Sequence, residues 1–141
     1  MAEMTRKEAR EEAFRLLFET EFHKDEDPTA VYALAVEDRE FADNAYIKDV
    51  YFGVCKHLAE IDEMIMRHSN GWKPSRITPV SRSVIRLSIY EMLYRADIPN
   101  AVSLNEAIEL VKKFDDAKTM KSFVNGVLNG VKNEIESAAN A

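Results

Sequence analysis

The sequence predicts an all-α protein, a compact bundle of about seven helices. Three observations carry this. Apolar residues recur at three- and four-residue spacing along most of the 141-residue chain. Gly and Pro are scarce at four each, while apolar residues make up 46% and charged residues 31%, a balance suited to one soluble, helix-rich domain. Helix starts are written into the chain as Thr5-Arg-Lys-Glu8, Thr78-Pro79 and Ser103-Leu-Asn-Glu106.

The first helix opens at the Thr5/Glu8 capping box, where hydroxyl and carboxylate can each satisfy an orphan amide. Ala9, Ala13, Leu16 and Leu17 recur at helical spacing beside Phe14 and Phe18, and the pattern fades near His23-Lys24 before Asp25–Pro28. A short second helix is expected from Thr29 to about Glu37. A third pattern covers about 41–58, through Phe41, Ala45, Val50, Val54 and Leu58, and is expected to run on through Ile61, Ile65 and Met66 until Asn70-Gly71 stops it. Trp72 to Arg76 is a connector. The helix from 79 to about 95 is apolar on most of its circumference (Val80, Val84, Ile85, Leu87, Ile89, Met92, Leu93), as a central, buried helix is. Ile98-Pro99-Asn100 breaks the chain. The second capping box, Ser103 to Glu106, then opens a helix through Ala107, Leu110, Val111 and Phe114, and a polar link runs from Asp115 to Thr119.

The last segment contains Phe123-Val-Asn-Gly-Val-Leu128, whose Asn-Gly pair is a strong hairpin signal on its own. The surrounding period overrides it. Met120, Phe123, Val124, Val127, Leu128, Val131 and Ile135 form an α stripe, so a helix through Asn125-Gly126 is expected, at about 1 kcal/mol for the glycine. Small residues (Ser122, Gly126, Asn129 and Asn133) line its opposite side, with Gly130 at the edge. The tail, 137–141, is expected to fray.

The single cysteine, Cys55, excludes an internal disulfide framework or a multi-thiolate zinc site and fits a reducing cytoplasm. The N-terminus lacks the apolar core of a signal peptide, and no apolar run approaches the ~18 residues of a membrane span. Net charge is −6, but it is uneven: residues 1–66 carry eight Lys/Arg against seventeen Asp/Glu, and residues 67–95 carry six against Glu91 alone. A basic middle can present a local field to RNA or an acidic partner, or belong to a mixed solvated surface. Catalytic patterns are lacking. Cys55 and His57, two apart on a helix, point in different directions. There is no His-x-x-x-His, Gly-rich phosphate loop or Gly-x-Ser-x-Gly, and no metal or cofactor is expected.

Two charge features need an explanation. Arg10 shares a sector with Phe14 and Leu17, with Arg6 and Lys7 one turn before it. It reads either as a snorkelling arginine or as part of a basic helix end beside aromatics, suited to single-stranded RNA. Arg82, Arg86 and Glu91 lie in the helix expected to be buried, where charges must be paired; Arg86 with Glu91, or with Glu106 of the next helix, is the expected structural ion pair.

The stretches Val80–Met92 (VSRSVIRLSIYEM), Ile98–Phe114 (IPNAVSLNEAIELVKKF) and Phe123–Asn129 (FVNGVLN), with the basic first helix and Trp72 before the Arg-rich stretch, resemble the NusB family of bacterial transcription antitermination factors. The resemblance implies one NusB-like domain of two packed helical halves, about 1–70 and 71–137. It implies a cytoplasmic, non-catalytic protein that pairs with NusE, a small-subunit ribosomal protein. The pair would bind boxA RNA and support antitermination complex assembly on RNA polymerase during ribosomal RNA synthesis. Carried over residue by residue, RNA contacts fall on Arg6, Lys7 and Arg10, on Phe114, on the link with Lys118 and Lys121, and on Phe123. The chain departs from the family pattern at Glu8, Asp115, Met120 and Asn129. An alternative from the residues alone is a protein-binding helical scaffold with no RNA contact. A methyltransferase is disfavoured by the short chain and the missing Gly-rich loop.

Overall fold

The computed structural model describes residues 4–39 and 44–139, and over these the chain is helical with no strand. Seven α-helices follow in order: α1 (Arg6–Glu21), α2 (Pro28–Arg39), α3 (Ala45–Lys56), α4 (Leu58–Arg67), α5 (Pro79–Tyr94), α6 (Asn100–Phe114) and α7 (Lys118–Ala139), with a 3-10 turn at Pro74–Arg76. Phe41, expected in the third helix, lies outside the described residues, as do the last two residues of the tail expected to fray. Ser137 to Ala139 are helical.

The helices divide into two compact units, one ending at Lys56 and the other beginning at His57. The sequence reading has the pattern over about 41–58 running on into 59–69. Instead the helix stops at Lys56, and His57 takes a non-helical conformation (φ −106°, ψ 22°) ahead of α4. Beyond the break, α4 is tied to α5 and α7. Arg86 of α5 donates from Nε and NH2 to the two oxygens of Asp62 on α4, both at 2.9 Å. The sequence reading offered Glu91 or Glu106 for Arg86; the structure adds Asp62.

In the first unit α1 packs on α3 and α2. Ala13, Leu16, Ile47, Val50 and Tyr51 are wholly buried. The Tyr51 hydroxyl lies 2.7 Å from Thr20 Oγ1, and burial pushes its phenol up to about 12. Arg39 of α2 reaches back to α1, pairing with Glu12 at 2.9 Å and Glu19 at 2.6 Å.

In the second unit α5 is central, contacting α4, α6 and α7. Its start is as the sequence predicts: Thr78 caps the helix, accepting from the Ser81 amide at 3.1 Å, with Pro79 at the first position. The start of α6 is a correction. The helix begins at Asn100 behind Pro99, not at Ser103, and the Val102 and Ser103 amides donate to the Pro99 carbonyl at 3.0 and 3.1 Å. Ser103 is unavailable as a cap because it is a buried tertiary contact. Its hydroxyl donates to Glu91 Oε1 at 2.8 Å and lies 2.9 Å from Ser88 Oγ. Glu91 is wholly buried.

Helix α7 runs unbroken through Asn125-Gly126. Its apolar stripe is the buried one: Met120, Phe123, Val124, Val127, Leu128 and Val131. The two glycines differ in kind. A Cβ on Gly130 would lie 2.5 Å from His68 Nδ1, so glycine permits the close approach of His68; a Cβ on Gly126 would meet nothing within 4 Å.

Glu134 of α7 binds Arg67 through both oxygens, at 3.0 Å from Nε and 2.6 Å from NH2, and His68 Nε2 lies 2.8 Å from Oε1. The Arg67 hydrogen bonds first, then His68, hold its carboxyl at about 2, below the ordinary 4.5. An acidity strengthened by folding stabilises the native state above pH 4.5 and is lost as pH falls toward 2. The carboxylate is 37% exposed, so screening limits this to under about 1 kcal/mol. Glu134→Gln is expected to lower the urea midpoint slightly at pH 6, with the gap from wild type closing between pH 4.5 and 2.

Candidate nucleic-acid interface

The first group of candidate residues is fixed by the cap of α1. The Thr5 amide donates to Glu8 Oε1 at 3.0 Å and the Glu8 amide to Thr5 Oγ1 at 3.1 Å, the full reciprocal box. The Thr5 backbone hydrogen bond draws the Glu8 carboxyl below its usual range. This sets Arg6 and Lys7 in the first turn, both exposed. The Arg6 guanidinium lies 4.6 Å from the centroid of Tyr46 on α3. Arg10 differs: it is only 4% exposed, with its guanidinium 5.7 Å from the same ring. It contributes to the α1–α3 contact, with little surface left for a ligand. Arg10→Ala is expected to cost about 1–2 kcal/mol of stability, through lost packing and cation–π attraction. RNA affinity of the folded variant should fall less than when Arg6 and Lys7 are changed together, which melting curves paired with RNA titration would check.

The second group lies where α6 hands over to α7. Phe114, the last residue of α6, is half-buried, and Lys113 Nζ lies 5.3 Å from its ring centroid. The link is shorter than expected, since Lys118 already begins α7. Asp115, a departure from the family pattern, holds it in place. One carboxylate oxygen accepts from Thr78 Oγ1 and, at 2.7 Å, from Ser81 Oγ; the other accepts from the Ala117 amide at 2.9 Å. Lys118 and Lys121 are exposed, less than one turn apart on α7. Phe123 is only 6% exposed and packs on Trp72, ring centroids 4.7 Å apart at 43°. It is therefore chiefly a core residue. The fold thus sets Phe114, Lys118 and Lys121 at one helix junction of the second unit, leaves Phe123 in the core beside Trp72, and groups Arg6, Lys7 and Arg10 at the start of α1.

Among the described residues no group of three His, Cys, Asp or Glu is placed to hold a metal ion, and no helix is long and apolar enough to cross a membrane. Cys55 is half-buried and takes no part in a disulfide among the described residues.

The NusB family model matches residues 7–133. This chain belongs to the NusB family. It is 42% identical to the transcription antitermination protein NusB of Enterococcus faecalis, over 97% of this chain and 95% of that one. The NusB fold is shared with the solved structure of T. maritima NusB (TM-score 0.83, 32% identity, 94% of each chain). A chain from a structure of the antitermination factors NusB and NusE in complex with double-stranded RNA also superposes (TM-score 0.79, 27% identity, 92% of this chain and 96% of that one). Within this NusB-like chain, sequence reasoning missed Lys113 and the contact of Trp72 with Phe123. The signal for the second was available: Trp72 is the single tryptophan, set just before a basic stretch.

Proposed function

We propose that this chain is an RNA-binding transcription antitermination factor. With a NusE partner it binds boxA RNA and supports assembly of the antitermination complex on RNA polymerase during ribosomal RNA transcription, in the bacterial cytoplasm. It works by binding, not by catalysis. The observation that carries this reading is the NusB–NusE structure with double-stranded RNA, whose NusB-like chain aligns with nearly all of this one. The exposed Arg6 and Lys7, the Lys118/Lys121 pair and the neighbouring Phe114 supply what RNA needs: cations for phosphates and a ring for bases.

The test is fluorescence anisotropy of a labelled boxA-like RNA, titrated with the protein alone and with NusE. Weak binding alone, tightening with NusE, is expected. Affinity should fall with salt by a log–log slope of about −0.7 per phosphate contact for a single strand. No binding in either titration, or a slope near zero, would sink the proposal.

A further inference from the structure

Trp72 is held by turns on both sides. Before it, Asn70 and Gly71 take positive φ (50° and 84°), and the Trp72 amide donates to the Ser69 carbonyl at 3.0 Å. After it, Arg82 of α5 donates to the carbonyls of Pro74 and Ile77 at 3.0 and 3.2 Å, tying down the 3-10 turn. Beside the half-buried indole lies a cleft of about 270 Å³, lined by Trp72, Phe123, Gly126 and Val127, with Asn70 and Ser122 supplying polar groups. That is at or below the lower end of the ~300–1,000 Å³ usual for small-molecule sites, room for one planar ring. A second recess shares Trp72 and is lined by Lys73, Ser75 and Arg76.

Gly126 makes the cleft informative. A helix-interior glycine costs about 1 kcal/mol relative to alanine. Gly130 has an internal reason in His68, but a side chain at Gly126 would meet nothing. The open space serves no packing within the chain. It lies against two aromatic rings, with exposed cations across Trp72.

We propose that this cleft is a subsite for one unpaired nucleobase, stacked on Trp72, with Lys73 and Arg76 taking the adjoining phosphates. This rests on the RNA-binding reading and extends it from Phe123 of the α6–α7 group to Trp72, Lys73 and Arg76, which lie outside both groups. Stacking tolerates any base, while Asn70 and Ser122 can read its edge.

Trp72 is the only tryptophan of this chain, so the chain's tryptophan emission reports on the surroundings of that indole. The full chain, with NusE present, is titrated with a labelled single-stranded boxA-like RNA and with the fully paired duplex, following label anisotropy and Trp72 emission together. Quenching by the single strand that saturates with the anisotropy is expected, with emission unchanged by the duplex. Gly126→Leu, which grows into the cleft, should bind the single strand about tenfold more weakly, the loss typical of one stacked base, at an unchanged or raised melting temperature. Trp72→Ala, followed by anisotropy alone, should lose affinity similarly. The subsite is overturned, with RNA binding intact, if anisotropy rises while Trp72 emission stays constant and both variants bind as wild type. It is also overturned if the duplex quenches as strongly as the single strand. Flat anisotropy with every RNA removes the RNA-binding reading and this subsite together.

Discussion

Glu91→Ala is expected to cost about 3 kcal/mol or more of folding free energy, the range seen when a buried charge or its partners are left uncompensated. The carboxylate is wholly buried in the central helix and accepts from Ser103, which in turn touches Ser88. Removing it leaves the Ser103 hydroxyl with only the Ser88 carbonyl and hydroxyl as partners and opens a cavity between α5 and α6. With a denaturant slope of about 2 kcal/mol per molar urea, the midpoint should fall by about 1.5 M. Glu91→Gln keeps an acceptor for Ser103 and most of the volume, and should lose less. Equal losses for both variants would show that the charge itself, not the Ser103 hydrogen bond or the filled volume, dominates.

The second large effect concerns binding. Arg6→Gln combined with Lys7→Gln removes two exposed cations from the start of α1 while leaving the Thr5–Glu8 cap intact. If each neutralises one phosphate, affinity for single-stranded RNA at 0.1 M salt should fall about 25-fold and the salt slope by about 1.4. Stability should change by no more than about 1 kcal/mol, the worth of an exposed cation over a ring such as Arg6 over Tyr46. An unchanged salt slope would show that these residues do not touch phosphate.

What the sequence conveyed, and what it withheld, divides along one line. Signals confined to a few consecutive turns came through. The Thr5 box, the Thr78-Pro79 start and the stripe of α7 depend on near neighbours, and each is where spacing placed it. The Asn-Gly pair, misleading alone, was settled by the apolar period around it. Features that depend on a distant partner did not come through. Ser103 looks like a cap until Glu91 claims its hydroxyl. Arg10 looks like a surface cation until Tyr46 and its burial are seen. The helix expected to run through His57 is divided there, and the partners of Asp62 and Arg67, which are Arg86 and Glu134 on α5 and α7, were not legible in the spacing. The candidate site was visible as residue types near helix ends. Its grouping was not, since the contact between Trp72 and Phe123 joins residues about 50 positions apart, and spacing alone carries no such information.

Asp115 has a consequence for how this region comes apart. A single carboxylate engages the hydroxyls at the beginning of α5 and the amide that leads into α7. The two helix starts therefore share one fastening. Fraying of the first turn of α7 would withdraw an acceptor from the Thr78 and Ser81 hydroxyls, while the Ser81 amide keeps Thr78 as its cap. Lys118 and Lys121 follow directly on this fastening, so the local opening that frees them carries an added cost at the start of α5.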